Sequence, residues 1–212
     1  CDLDGKQDLR TLLDGLLPLQ GLERLRLMYL YPAGMTHEML KYLREAGKPF
    51  VPYFDVPVQH SHPDVLSRMG RPFARNPREA IDRIRNVFPE AALRTSIMVG
   101  FPGETEEQFS ELAEFVNDIK FERLGCFAYS AEEDTPAAEM PDQIDAETKQ
   151  NRRLIVEELQ SGVLDDYNTS RHGEVMQVLV EGFDDEQQLW YGRTYADSVE
   201  VDGHVYFDAM DT

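Results

Sequence analysis

The stretch Ser96-Ile97-Met98-Val99-Gly100-Phe101-Pro102-Gly103-Glu104-Thr105 runs from apolar residues, through a proline flanked by glycines, to a helix-capping threonine. Gln108 stands at capping-box spacing from Thr105, and Phe109, Leu112, Val116 and Ile119 follow at helical period. The stretch therefore predicts a strand from Leu93 to Val99, a tight turn and a helix. Gly100 and Gly103 let backbone approach a ligand closely. The first amides of the helix are placed to receive a carboxylate or phosphate.

The segments around it repeat the alternation. Leu25 to Tyr31 is a short apolar run. Thr36 to Ala46 is a helix with Met39, Leu40 and Leu43 on one face and Gly47 as its stop. Phe50 to Val58 is the next strand, weakened as a regular ladder by Pro52 and Pro57. Asn76-Pro77-Arg78-Glu79 sets an N-cap, a first-turn proline and a capping-box acid ahead of a helix carrying Ile81, Ile84, Val87 and Phe88. Arg123 to Tyr129 is a further strand, and Asp145 to Tyr167 a long helix. Strands alternating with helices of this length predict right-handed βαβ units on a parallel sheet, the α/β class. The near-continuous apolar strands agree, because helices cover such a sheet.

The pattern changes after His172. Val175 to Val180, Leu189 to Tyr191, Val199 to Val201 and Val205 to Phe207 read as short strands, with Asp202-Gly203 as a two-residue hairpin turn. This part reads as a small five-stranded all-β barrel or part of one. The boundary falls near Ser170, dividing residues 1–170 from 171–212.

In a parallel barrel, alternate strand residues face the lumen or the outer helices. Thr95, Ile97 and Val99 share one face, so Arg94, Ser96 and Met98 are expected in the lumen, joined by Arg26 and Asp55. Charges of both signs there cost desolvation and point to a site; an ion pair between strands is the other reading. Such barrels keep functional groups at the C-terminal strand ends. Those ends are Tyr31-Pro32, Pro57-Val58-Gln59-His60, Gly100 to Thr105, and Tyr129-Ser130. His60, with Gln59 and His62 near it, reads as a hydrogen-bonding histidine ahead of a metal ligand, and no metal site is assigned.

With 212 residues, 42% of them hydrophobic, the chain can bury a core as one large domain or as a medium domain with a small one. No apolar stretch would span a bilayer and none resembles a signal peptide, so a soluble cytoplasmic protein is expected. Two cysteines, Cys1 and Cys126, exclude a disulfide framework or a complete cysteine metal site within this sequence. Cys126 lies in an apolar run and reads as a buried, inert thiol. Forty acidic residues against 21 basic ones give a net charge of −19. That disfavours a protein that tracks nucleic-acid phosphates and suits a basic protein partner, with simple solubility as the alternative.

Several segments together resemble the methylthiotransferases of the radical S-adenosylmethionine superfamily. They are Tyr53-Phe54-Asp55-Val56-Pro57-Val58-Gln59-His60, Leu66-Ser67-Arg68-Met69-Gly70-Arg71, Arg94 to Thr105, Phe127 to Ala138, Gly192-Arg193-Thr194 and Glu200-Val201-Asp202-Gly203. The resemblance follows nearly the whole chain in order. It implies the later strands of a partial parallel (β/α) radical-SAM barrel over 1–170 and a TRAM domain over 171–212. It also implies the chemistry: a deoxyadenosyl radical abstracts hydrogen, then sulfur and methyl are installed. The cofactors of the full-length enzymes are S-adenosylmethionine and two 4Fe-4S clusters. The family's three-cysteine motif is absent, so the chain is expected to begin after the cluster loop, to bind no cluster and to catalyse nothing by itself. Self-association through the edge of the incomplete barrel is a further expectation. Ser61-His62 and Asp134 depart from the family's usual small residues.

By resemblance, Gln59, His60, Arg94, Ser96 and Glu104 lie on the cofactor side, and Tyr129, Ser130 and Thr135 toward the substrate. Members of the family act on a tRNA adenosine or on an aspartate of a small-subunit ribosomal protein. From Gly173 onward there are ten acidic residues and a single basic one, Arg193. That surface suits a basic ribosomal protein and not an RNA backbone. A non-catalytic acidic binding module and an unrelated barrel enzyme are the readings from other classes.

Overall fold

Strands β1 (Leu25–Leu27), β2 (Phe50–Asp55), β3 (Ala92–Val99) and β4 (Arg123–Ala128) are parallel and lie in the sheet in chain order. The structure is a computed structural model describing residues 8–71 and 76–208; Cys1 lies outside the described residues. Sequential parallel strands with intervening helices have the architecture of a barrel segment. The helices are α1 (Leu9–Leu16), α2 (His37–Ala46), α3 (Pro63–Arg68), α4 (Pro77–Val87), α5 (Glu106–Ile119) and α6 (Ala146–Ser170).

Helix starts follow the sequence signals. Thr36, Asn76, Thr105 and Asp145 each accept a backbone amide as N-cap. Thr105 and Gln108 form the complete capping box. Asn76 and Glu79 do not: the Glu79 carboxylate meets the Asn76 side-chain amide (3.5 Å) and Arg83 (3.1 Å).

One face of the sheet packs under the helices. Phe54, Val56, Leu93, Ile97 and Val99 join Leu40, Leu43, Ile81, Ile84, Leu112 and Val116 in the main core. Two strands are shorter than the apolar runs predict. β1 ends at Leu27 because Tyr29 turns left-handed (φ 55°) and gives its amide to the Asp55 side chain. β2 ends at Asp55 ahead of Pro57, although Gln59 makes one further parallel bridge to Ile97. Pro52 lies inside β2 all the same. The β1–β2 register shifts between Leu25↔Phe50 and Leu27↔Phe54, and pairing with β3 starts only at Tyr53. The missing proline N–H therefore falls where no ladder needs it.

The C-terminal part forms an antiparallel sheet of β5 (Leu179–Asp184), β6 (Leu189–Arg193) and β7 (Val205–Phe207). Two expected strands are corrected. Residues 175–178 are irregular, so the strand starts at Leu179 and runs to Asp184. Val199 to Gly203 is neither strand nor hairpin turn; it belongs to a folded segment that returns to the barrel. Three strands, not five, are present among the described residues. No described helix is long and apolar enough to cross a membrane.

Candidate functional site

The open face of the sheet holds the charged residues the alternation predicted, and at its lower end they are already partnered. Arg94 Nη1 meets Asp55 Oδ1 at 3.0 Å, and the Arg94 Nε lies 3.9 Å from Asp202. Asp202 also accepts from the Tyr53 hydroxyl (2.6 Å) and the Ser198 amide (2.8 Å). Arg123 binds Asp197 at 2.5 Å, and Arg26 donates to the Tyr195 carbonyl at 3.0 Å with its guanidinium over the Tyr53 ring. Ala196 enters an apolar cluster with Val51, Tyr53 and Ala92. The segment from Thr194 to Asp202 thus plugs the N-terminal end of the lumen. Burial raises the Tyr53 phenol pKa, and hydrogen bonding to Asp202 raises it further. Burial pushes Asp197 upward, but hydrogen bonds from Thr194 and Arg123 outweigh it and hold the carboxyl below its ordinary value.

Above this plug the face is open. Ser96 pairs with Gly125 and Met98 with Phe127 across β3 and β4. The Phe127 ring is 55% exposed, and the Ser96 hydroxyl makes no hydrogen bond among the described residues. Gln59 is left-handed (φ 67°) and exchanges backbone hydrogen bonds with Ser96 and Met98, so it caps this face at the C-terminal end.

The glycine loop is tied down from below. Gly100 (φ 71°) gives its amide to Glu104 Oε2 at 2.9 Å, and Gly103 gives its amide to the Asp142 carbonyl. Glu104 Oε1 accepts from Arg152 at 2.8 Å, and buried His60 points Nε2 at Glu104 from 3.5 Å. His60 Nδ1 accepts the His62 amide, which fixes the neutral ring as the Nε2–H tautomer. Arg68 clamps the loop from the side through the Gly103 carbonyl and Gln108, both at 3.1 Å. The Thr105 and Gln108 amides are consumed by the capping box. Those two amides are therefore not available to the anion expected at this helix start.

The residues expected on the substrate side are divided. Tyr129 is buried against Phe101, Val65, Met69, Met98 and Met140, with its hydroxyl unpartnered among the described residues. Ser130 is exposed at the end of β4. Thr135 binds the Glu132 carbonyl at 2.8 Å and closes a turn. The structure brings Gln59 and Ser96 together and places His60 with Glu104 beneath the loop. Arg94 sits in the lower ion network.

Arg152, Lys149 and Arg68 were missed by sequence reasoning. Arg152 carried a signal: it shares the buried stripe of α6 with Val156, Gln160 and Val163, so a charge sat on an apolar face. Lys149 lies against Gly100 and over the Tyr129 ring.

The described residues do not fit an iron–sulfur cluster. Cluster ligation needs thiolates, and Cys126 is buried, with its thiol pushed up to about 12 by desolvation. No group of three or more His, Cys, Asp or Glu among the described residues is placed to hold a metal. On the open face the Ser96 hydroxyl has no partner among the described residues and the exposed Phe127 ring lies over Gly125, so a hydroxyl and an aromatic face are the groups there that could meet a nucleoside.

Comparison with known proteins agrees with the fold. Residues 3–116 match the Radical SAM superfamily, and residues 173–212 match the TRAM domain. The chain is 58% identical over 206 residues to the "Ribosomal protein uS12 methylthiotransferase RimO" of Oleidesulfovibrio alaskensis, covering 97% of this chain and 48% of that protein. Proteins of the same name from Nitratidesulfovibrio vulgaris (52% identity; 97% and 48% covered) and Bdellovibrio bacteriovorus (45%; 92% and 43%) are also similar. The chain spans about half the length of these curated relatives.

Proposed function

The chain belongs to the Radical SAM superfamily, and on that premise we infer that the protein carrying it is a cytoplasmic methylthiotransferase adding a methylthio group to an aspartate of ribosomal protein uS12. The observation that carries this is identity of 40–58% along 92–99% of the chain to proteins named as methylthiotransferases of ribosomal protein uS12; the aspartate is what the family resemblance implies. The acidic C-terminal part supports a basic protein substrate. We divide the chain into a barrel unit, 1–170, and a TRAM unit, 171–212. The end of α6 at Ser170 and the TRAM match from 173 support that division.

S-adenosylmethionine, when bound, supplies the methyl group and the hydrogen-abstracting equivalent. The chain's own part is to bind and orient. Ser96 offers a hydroxyl, Gln59 fixes the upper edge of that face, and Phe127 offers a ring for stacking. His60, Glu104 and Arg152 are positioning residues that set the height of the glycine loop. Arg94 positions the floor. Phe101, Tyr129 and the methionines around them keep water from one side of the loop, with Ser130 and the Thr135 turn facing the incoming substrate.

The test is to incubate a full-length protein carrying this chain with uS12 and with tRNA under reducing conditions and to assay both for methylthio product by mass spectrometry. Product on uS12 is expected; product on tRNA alone overturns the reading.

A further inference from the structure

Most part-buried arginines in this chain hold a carboxylate. Arg94 has Asp55, Arg123 has Asp197, Arg152 has Glu104 and Arg193 has Glu181, at 3.0, 2.5, 2.8 and 2.6 Å. Arg24, Arg26 and Arg68 also lack one among the described residues, but Arg26 and Arg68 are spent on groups within the fold and Arg24 precedes β1, at the end of the sheet away from the functional rim. Arg71 differs. It follows α3 and donates Nη2 to the Pro57 carbonyl at 2.9 Å, beyond the end of β2. Its guanidinium stacks on Tyr31, beyond the end of β1, at 5.3 Å. No carboxylate among the described residues pairs with it, and its Nη1 makes no hydrogen bond to a described residue. In a sequence with 40 acidic residues against 21 basic ones, a guanidinium left without an anion at the functional rim of the barrel is held for an anion from outside. A guanidinium is a charge-assisted donor suited to a carboxylate.

We propose that Arg71 is the receptor for the carboxylate of the substrate's target side chain. This rests on the reading of the protein as a modifier of a peptide aspartate. The Pro57 carbonyl and the Tyr31 ring hold the guanidinium plane, leaving Nη1 for the incoming carboxylate. Tyr29 (79% exposed) and Tyr31 (41% exposed) flank the approach, on the β1–β2 side of the rim and away from the glycine loop that follows β3. The α-carboxylate of S-adenosylmethionine has the same chemistry, so the experiment separates the two.

The probes are a labelled synthetic peptide of the uS12 segment bearing the aspartate, its asparagine counterpart, and S-adenosylmethionine. Each is titrated into full-length, cluster-reconstituted protein carrying the wild-type, Arg71→Gln or Arg71→Lys chain, with circular dichroism confirming the fold. Wild type is expected to prefer the aspartate peptide about tenfold, in line with a charge-assisted pair. Arg71→Gln should erase that preference while binding the asparagine peptide as wild type does, and Arg71→Lys should keep part of it, retaining the charge without the fork. If Arg71→Gln keeps the preference, or wild type has none, Arg71 is not the receptor, while the uS12 reading stands on peptide binding itself. If Arg71→Gln loses only S-adenosylmethionine binding, the site belongs to the cofactor and the substrate assignment is overturned. If wild type binds a tRNA anticodon stem-loop and neither peptide, the substrate reading fails and the Arg71 assignment falls with it.

Discussion

Arg94 Nη1 lies 3.0 Å from Asp55 Oδ1, between residues that are direct partners in the β2–β3 ladder. Asp55 is fully buried and its other oxygen takes the Tyr29 amide, so the pair joins the floor of the lumen to the left-handed turn that ends β1. Removing one member leaves a buried charge uncompensated. Arg94→Leu is expected to cost about 3–5 kcal/mol in urea unfolding, and Asp55→Leu a similar amount. The double variant should cost clearly less than the sum, because the two changes remove the same pair. Additive losses would show that the pair is not coupled.

Asp197 anchors the C-terminal plug through Arg123 and through both the amide and hydroxyl of Thr194. Its carboxyl is depressed, so its stabilisation is complete above the ordinary aspartate pKa and is lost as pH falls through the lowered folded value. As pH falls below the ordinary aspartate value of 3.8, wild type should lose stability faster than Asp197→Asn by up to ~1.4 kcal/mol per pH unit. Parallel acid-unfolding curves would contradict this.

Cys126 behaves oppositely at the alkaline end. Burial raises its thiol from 9.0 to about 12, so the unfolded chain ionises first and stability falls as pH rises between these values. Comparing wild type with Cys126→Ala should show that fall reduced by about 1.4 kcal/mol per pH unit. At pH 8 the native thiol should also resist alkylating reagents until the chain unfolds.

Thr105 closes the glycine loop by capping α5. Thr105→Ala is expected to cost about 1 kcal/mol in thermal or urea unfolding. Hydrogen exchange should then rise at Gln108, whose amide the threonine accepts, and not in β3.

The acidic C-terminal sheet should act by charge. Replacing Asp184, Asp185 and Glu186 with lysine should slow association with the basic uS12 peptide about tenfold at low salt, with little effect at high salt. An equal effect at both salt concentrations would point to a packing role instead.

Helix positions were legible because capping and apolar period are local properties of the chain; Thr105 with Gln108 and the stripe from Phe109 to Ile119 show this. Strand ends were less so. Nothing in Leu25 to Tyr31 says that the Tyr29 amide will leave the ladder for Asp55, 26 residues away. Val199 to Val201 has strand composition, but Asp202 binds Ser198 and Tyr53 and folds it into a plug. For the site, alternation correctly put Arg94 and Ser96 on the open face, yet it could not tell that Arg94 is already engaged by Asp55.

The sequence by itself determined the parallel α/β class, the glycine loop, the family resemblance and the acidic character of the last forty residues, since each follows from short-range pattern or composition. Only the tertiary structure decided which charges are already answered. Arg94 and Glu104 are bound within the fold, while Arg71 meets no carboxylate among the described residues. That distinction depends on distances between strands and helices far apart in sequence, where desolvation and ion pairing are set by packing.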